Sequence, residues 1–125
     1  MTAAIIPHWN RADLLEPLLE NLAQQTHPFD RIIVVDNGST DRTADVAQSF
    51  GARVIRENVR GYGRAYNRGF ADATGDVIIT LDGDGQNDPA FMPDFLRALE
   101  AAGPRCGLVQ GQRVGRKTTP FKKFQ

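Results

Sequence analysis

Short apolar runs alternate with segments of helical periodicity along this chain. The runs are rich in β-branched residues, a pattern typical of strands buried in a parallel sheet. The predicted strands are residues 3–7, 31–36, 52–56, 77–81 and 107–114. Apolar residues at helical spacing between them predict helices near residues 13–25, 44–50, 60–74 and 89–102. The β-α alternation predicts an α/β fold, a mostly parallel sheet with right-handed crossovers and helices on both faces.

Polar residues mark where two of these helices begin. Asp13 and Glu16 resemble a capping box at the start of the first helix. Asp88 predicts an N-cap for the last helix, with Pro89 in the first helical position. The apolar face predicted for that last helix consists of Phe91, Phe95 and Leu99.

The most informative stretch is the fourth predicted strand and the residues that follow it. Residues 77–81 predict a strand buried on both faces, which ends in Asp82-Gly83-Asp84-Gly85. Along an extended chain the side chains of Asp82 and Asp84 project to the same side. With Gln86 nearby, these oxygens suit magnesium, manganese or calcium. The same sequence is also common in solvent-exposed turns, and this alternative stays open.

A helix-loop-helix calcium site is excluded for this stretch. Asn87 stands where that loop needs glycine, and Pro93 stands where it needs glutamate. The preceding segment is also predicted to be a strand, which does not fit a helix-loop-helix unit.

Other strands end in residues that suit a nucleotide, and the ends of parallel strands meet at one edge of the sheet. Asp36 can accept hydrogen bonds from a ribose or from a base N–H, or it can cap a turn. Trp9, two residues after Pro7, can stack on a base or pack against the protein. Gly61 and the glycine two residues later can cradle a phosphate or form a plain loop. His8 is interpreted as a loop residue.

Composition and charge narrow the function classes. The chain has 125 residues, a length that fits one domain over residues 1–125. Acidic and basic residues are equal in number, so the net charge gives no indication of a nucleic-acid partner. Residues 111–125 hold five cations and no acid, which predicts either a solvated tail or a surface for phosphates or anionic lipid. One cysteine, no signal peptide and no apolar run of ~20 residues lead us to expect a cytoplasmic location.

Four motifs together resemble the family 2 glycosyltransferases of the GT-A fold. They are Ile5-Ile6-Pro7-His8-Trp9-Asn10-Arg11, Val34-Val35-Asp36-Asn37-Gly38-Ser39-Thr40-Asp41, residues 60–69 (RGYGRAYNRG) and Leu81-Asp82-Gly83-Asp84-Gly85-Gln86. Their order and spacing agree with the family over nearly all of the chain. Residues 81–89, followed by Gly111-Gln112-Arg113, look most like the branch that acts on polyprenyl phosphates, similar to dolichol-phosphate mannosyltransferases.

The resemblance implies a Rossmann-like nucleotide-binding half and a metal-dependent, inverting glycosyltransferase. The donor would be a sugar nucleotide of UDP or GDP, with a polyprenyl phosphate at the membrane surface of the cell envelope as a candidate acceptor. Asp82 and Asp84 would form the DXD motif and, with Gln86, hold Mg²⁺ or Mn²⁺. The nucleotide would contact Pro7, Trp9, Asp36, Gly61 and Asp82.

The same resemblance gives Asp84 and Arg113 the catalytic roles, with Arg113 meeting a donor or acceptor phosphate. Two positions depart from the family pattern. Asn37 stands where many relatives have a second aspartate, and Arg11 replaces a frequent acid. Family members usually continue into an acceptor-binding half, so we expect a shortened chain. The alternative function is therefore a nucleotide-sugar-binding fragment without turnover of its own. A nucleotidyltransferase is disfavoured because no basic, glycine-rich loop follows the first strand.

Overall fold

The computed structural model of the chain describes residues 1–111. The chain divides into two compact units, Met1–Ala90 and Phe91–Gln125. The first unit contains the four strands found within residues 1–111, and the described part of the second contains one helix. Whether the chain acts as one domain over residues 1–125 stays a prediction.

A four-stranded, fully parallel sheet forms the centre of the first unit. Its strands are β1 (Thr2–His8), β2 (Arg31–Asp36), β3 (Arg53–Arg56) and β4 (Val77–Thr80). Their spatial order is β3-β2-β1-β4, so the chain moves outward from β1 through β2 to β3 and then returns to the other side of β1. The α/β class and the parallel sheet predicted from the sequence are confirmed.

Helices cover both faces of this sheet. They are α1 (Ala12–Ala23), α2 (Thr43–Ser49) and α3 (Tyr62–Asp72). A short 3₁₀ turn (Pro89–Phe91) spans the boundary between the two units, and the second unit contains α4 (Met92–Ala102). Helix α3 packs against β1 and β2, whereas α1 packs on α2, which packs against β2 and β3. Residues 3–8 of β1 are buried without exception, so this central strand is covered on both sides.

The core beneath α3 is made of branched apolar side chains from three adjacent strands and of one alanine from α3 itself. Its buried members are Ile5, Ile33, Val35, Ile55 and Ala65. Burying each isoleucine or valine contributes about 1.5–3 kcal/mol relative to leaving it exposed. This core holds the carboxyl ends of β1 and β2 side by side, and the candidate site is built on those ends.

Strand β4 differs from the prediction that it is buried on both faces. Ile78 is 39% exposed, and partly buried and exposed residues alternate along the strand. Within residues 1–111, β4 pairs only with β1 and is therefore an edge strand. An apolar run predicts a strand, but its position in the sheet depends on which neighbours the chain places beside it.

The start of α1 also differs from the predicted capping box. Its N-cap residue is Arg11, which makes no side-chain capping bond. Asp13 pairs instead with Arg11, and the Ala12 N–H donates to Asp41 Oδ2 at 3.1 Å. A carboxylate 29 residues along the chain therefore replaces the local cap, because the loop after β2 lies against the start of α1.

Three predictions for the C-terminal part of the described chain are wrong. Phe91 was predicted to lie on the apolar face of the last helix but is 59% exposed, and Met92 is the buried residue at the start of α4. Residues 107–111 form no strand, so the predicted fifth strand is absent from that part, while residues 112–114 lie outside the described residues. The predicted N-cap is also displaced: Asp88 Oδ1 accepts the Ala90 N–H at 2.9 Å and so caps the 3₁₀ turn, whereas the N-cap residue of α4 is Phe91, which makes no side-chain capping bond.

Candidate active site

The candidate site is a cleft at the carboxyl ends of the strands, where the strand order reverses. Strand β1 lies at this switch point, with β2 on one side and β4 on the other. In open α/β sheets the loops diverge here and leave a crevice for ligands. The cleft has a volume of about 210 Å³ and is lined by Pro7, His8, Trp9, Arg11, Leu14, Asn37, Tyr62, Asp82, Gly83 and Asp84.

Both aspartates of the loop after β4 line this cleft. The Leu81 N–H still donates to Ile5 O at 3.0 Å, and the chain turns immediately afterwards. Gly85 has a φ of 74°, a backbone conformation that favours glycine. The Gln86 N–H donates to Asp84 Oδ1 at 3.0 Å. The loop is thus a turn and not an extended chain, and its fold, not strand alternation, brings Asp82 and Asp84 to one cleft.

His8 supports this loop from beneath. The residue is 7% exposed, and its Nε2 lies 2.6 Å from Arg11 O, so Nε2 is the protonated, donating nitrogen. A Cβ added to Gly83 would lie 2.2 Å from His8 Nδ1. The imidazole therefore occupies the space beside Gly83, and this corrects our interpretation of His8 as a loop residue.

Two tyrosines of α3 hold Asp82. The hydroxyl groups of Tyr62 and Tyr66 both donate to Asp82 Oδ1, the second at 3.3 Å. Partial burial raises the pKa of the Tyr62 phenol above its usual value, and the hydrogen bond to Asp82 raises this pKa further. Burial likewise raises the pKa of Tyr66. Both phenols are therefore protonated donors near neutral pH.

Asp36 is a buried carboxylate at the end of β2. It is fully buried, and its Oδ1 accepts the Ser39 N–H at 2.8 Å. Within the described part of the chain Oδ2 has no hydrogen-bond partner, and the nearest cation, Arg56 Nε, is 3.8 Å away. A buried carboxylate oxygen without a hydrogen-bond donor is costly, so an N–H group that reached Oδ2 would be favourable there.

Asn37 connects the end of β2 to the loop before α3. The groups around its amide fix the orientation, because Nδ2 then donates to Val59 O at 3.1 Å and to Glu57 O at 3.2 Å. In this orientation Oδ1 accepts the Gly61 N–H at 3.2 Å. Gly61 has a φ of 149° and precedes α3 without lining the cleft. Its predicted contact with the nucleotide stays a prediction.

The rim of the cleft is aromatic and cationic. Trp9 is 45% exposed, and the Arg60 guanidinium lies over its ring at 4.0 Å from the ring centre. Asn10, with a φ of 48°, connects the loops after β1 and β2, since its Oδ1 accepts the Thr40 N–H at 2.7 Å. The loops that follow both strands are thereby held together at the mouth of the cleft.

The donor set of the cleft fits a divalent cation that shares its coordination with a ligand. Asp82 and Asp84 offer hard carboxylate oxygens, while no group of three or more His, Cys, Asp or Glu residues within residues 1–111 is arranged to hold a metal. Mg²⁺ typically binds one or two carboxylates and completes its shell with substrate phosphates and water. The site therefore suits a cation bound together with a diphosphate.

The predicted site residues do not all reach the cleft. Pro7, Trp9, Asp82 and Asp84 line it. Asp36 is buried and precedes the lining residue Asn37. Gly61 and Gln86 do not line the cleft but lie next to residues that do. Arg113 lies outside the described residues. A larger groove of about 470 Å³ opens at the opposite, amino ends of β2 and β3, but its lining has one carboxylate and no aspartate pair.

Sequence reasoning did not identify four residues that shape the site: His8, Asn10, Tyr62 and Tyr66. Each lies within a quoted motif, yet its partner is distant in sequence. A signal was available for the tyrosines, because their spacing of four places both on one face of α3. For His8, only the lack of a side chain at Gly83 gave an indication.

The fold and the site define a class: α/β nucleotide-binding domains in which a pair of carboxylates faces a cleft at the switch point. The model of the family Glycosyl transferase family 2 matches residues 3–125 of the chain. The chain therefore belongs to glycosyl transferase family 2, and its fold is GT-A, as the resemblance predicted. No helix within residues 1–111 combines the length and apolarity that a bilayer crossing requires.

Two relatives in this family have names that refer to lipid phosphates. The chain is 36% identical over 132 residues to undecaprenyl-phosphate 4-deoxy-4-formamido-L-arabinose transferase from Serratia proteamaculans, covering 97% of this chain and 39% of the relative. It is 32% identical over 104 residues to dolichol-phosphate mannosyltransferase from Pyrococcus furiosus, covering 78% of this chain and 30% of the relative. The chain thus spans less than two fifths of these relatives.

A solved structure supports the fold and shows a nucleotide with a cation. Glucosyl-3-phosphoglycerate synthase from Mycobacterium tuberculosis, in complex with Mn²⁺, UDP and glucosyl-3-phosphoglycerate, is similar with a TM-score of 0.69 and 27% identity. The match covers 79% of this chain and 39% of that one.

Proposed function

We propose that the protein is a metal-dependent, inverting glycosyltransferase that moves a sugar from a nucleoside diphosphate sugar to an acceptor. The observation that carries this proposal is the cleft at the switch point, where Asp82 and Asp84 lie beside Trp9. The donor is a UDP or GDP sugar, and UDP is favoured because a structural neighbour holds UDP with Mn²⁺. The names of the relatives favour a polyprenyl phosphate as the acceptor.

The nucleotide is proposed to bind along the ends of β1 and β2. Asp36 Oδ2, which is buried without a donor within residues 1–111, accepts an N–H of the base. The exposed ring of Trp9 stacks on the base, and Pro7 forms the floor beside it. Gly61 contributes backbone to the nucleotide pocket at the start of α3.

The cation is proposed to be Mg²⁺ or Mn²⁺, held by Asp82 and Asp84 with Gln86 beside them. When bound, it supplies Lewis-acid stabilisation of the negative charge on the departing nucleoside diphosphate. Asp82 and Asp84 provide the protein's share of its oxygen ligands. These roles depend on carboxylate oxygens, so amide substitution at either position weakens the site.

The reaction is proposed to be a single displacement. An acceptor oxygen attacks the anomeric carbon from the face opposite the diphosphate, and the bond to the diphosphate oxygen breaks with its electron pair. The configuration at that carbon is thereby inverted. An acceptor phosphate is ionised near neutral pH, so this reaction needs no strong general base. Arg113 and the basic residues of 111–125 are proposed to meet phosphates or the cytoplasmic membrane surface.

Transfer of a radiolabelled sugar tests this function. The full 125-residue chain is incubated with UDP- and GDP-sugars, Mn²⁺ and undecaprenyl phosphate, and the lipid extract is counted. We expect a labelled lipid that disappears with a chelator and in Asp84→Ala, but not in Asp45→Ala, a change at an exposed residue of α2.

A second candidate function is nucleotide-sugar binding without turnover. It is favoured by one observation, that the chain spans only 39% of the Serratia relative. Calorimetric binding of UDP with Mn²⁺, combined with neither transfer nor hydrolysis, supports this candidate. Absence of binding contradicts both.

A further inference from the structure

Two phenol groups converge on one oxygen of the aspartate that begins the cleft loop. Tyr62 and Tyr66 lie one turn apart on α3, so both side chains project toward the same side of the helix. Their hydroxyl groups donate to Asp82 Oδ1. Helix α3 therefore connects directly to the loop after β4 through this carboxylate.

The tyrosine rings are held in place by aromatic contacts. The centres of Tyr62 and Tyr66 lie 5.2 Å apart in an edge-to-face arrangement with an interplanar angle of 75°. Tyr66 stacks on Phe70 at 5.9 Å with an angle of 23°. Such pairs contribute about 0.5–1.5 kcal/mol beyond area burial. The phenols are thus oriented by their neighbours before any ligand arrives.

We propose that Tyr62 and Tyr66 are positioning residues that orient Asp82 for the divalent cation, an inference that rests on the proposed function. Metal-ligating carboxylates are commonly hydrogen-bonded by outer groups, which fix their orientation. Neutral phenol donors do this without cancelling the carboxylate charge. A purely structural role explains Tyr62 poorly, because the residue is 59% exposed and lines the cleft.

The test removes the hydroxyl groups and keeps the rings. The full chain and its Tyr62→Phe, Tyr66→Phe and double variants are titrated by calorimetry with Mn²⁺ at saturating UDP, and separately with UDP alone. We expect the double variant to bind Mn²⁺ about 10- to 100-fold more weakly. The affinity for UDP without metal and the melting temperature should stay at their original values.

Ser49→Ala is the matched control, since it removes an exposed hydroxyl from α2 that donates only to Val46 O in the described contacts. An unchanged Mn²⁺ affinity in the double variant overturns the inference and leaves the proposed function intact. An equal loss of metal-free UDP affinity also overturns it, because that loss indicates a general structural effect. If the unmodified chain shows no Mn²⁺-dependent UDP binding, the proposed function itself fails. Tyr62→Phe alone, at an exposed ring, keeps the test valid if the double variant does not fold.

Discussion

At the scale of single residues, His8 and Gly83 determine how closely the cleft loop approaches β1. His8 Nε2 donates to Arg11 O, which fixes the ring. Its Nδ1 lies where a Cβ on residue 83 would be, at a separation of 2.2 Å that real Cβ contacts do not show. Gly83 therefore has a steric role here: it lets the loop lie close enough for both aspartates to face the cleft.

This contact predicts that removing the His8 ring rescues the effect of a side chain at residue 83. Gly83→Ala should displace the loop and weaken Mn²⁺-dependent UDP binding, because the methyl group overlaps the imidazole. In the His8→Ala background the same change should cost far less, so the two substitutions are coupled; contacting residues show interaction energies of about 0.5–3 kcal/mol. Calorimetry on the four proteins of this cycle gives the coupling.

Gly63→Ala is the control for the Gly83 substitution, since a Cβ at residue 63 meets nothing within 4 Å. If Gly83→Ala and His8→Ala have additive effects on Mn²⁺-dependent UDP binding, the steric account of His8 and Gly83 is contradicted.

At the scale of elements, α3 approaches the sheet closely through Gly69. A Cβ there would lie 2.5 Å from Ile5 Cγ2 and 3.3 Å from Val35 Cγ2. Interiors are packed at crystal-like density, so neither side chain yields easily. This approach places the N-terminal turn of α3, with its tyrosines, beside the loop after β4.

Gly69→Ala should therefore destabilise the fold by about 1–3 kcal/mol, the usual cost of overpacking a core. Gly63→Ala on the same helix should leave stability unchanged or raise it by up to about 1 kcal/mol, since alanine is the better helix former. Urea denaturation of both variants measures the difference. A Gly69→Ala protein as stable as the original would contradict the close packing.

The sequence predicted elements well and their surroundings less well. Within residues 1–111, four of the five predicted strands form, because apolar runs such as residues 32–35 have few other stable conformations in a layered fold. The exposure of Ile78 could not be predicted, since it depends on which strand lies beside β4. The cap on α1 came from Asp41, which no local pattern connects to Ala12.

At the scale of the whole molecule, acidic side chains join segments that are far apart in sequence. The Asp41 carboxylate accepts hydrogen bonds from Thr43 at the start of α2 and from Ala12 at the start of α1, and these bonds lower its pKa. The Thr2 N–H lowers the pKa of Asp30, and the terminal ammonium of Met1 lowers that of Asp76.

These shifts predict the response to acid. A carboxylate whose pKa is lower in the folded protein contributes stability above its unfolded pKa, and this contribution is lost as pH falls through the folded value. Stability should therefore fall as pH drops below about 4. Urea midpoints measured between pH 7 and pH 2 (a range chosen to span these values) test this expectation. Asp41→Asn should flatten the decline, and an identical profile for both proteins would contradict it.

The sequence predicted part of the candidate site. Pro7, Trp9, Asp82 and Asp84 were found from the sequence because strand ends of a parallel sheet converge regardless of detail. The spacing of Tyr62 and Tyr66 places both phenols on one face of α3, but the contact of that face with Asp82 depends on helix rotation and loop shape.

The central claim is that the ends of β1, β2 and β4 form one site for a nucleoside diphosphate and a divalent cation. Calorimetric titration of UDP, with and without Mn²⁺, into the 125-residue chain and its Asp84→Ala and Asp45→Ala variants tests it most directly. The account predicts that Mn²⁺ strengthens UDP binding to the chain and to Asp45→Ala but not to Asp84→Ala. Equal strengthening by Mn²⁺ in all three proteins would contradict it.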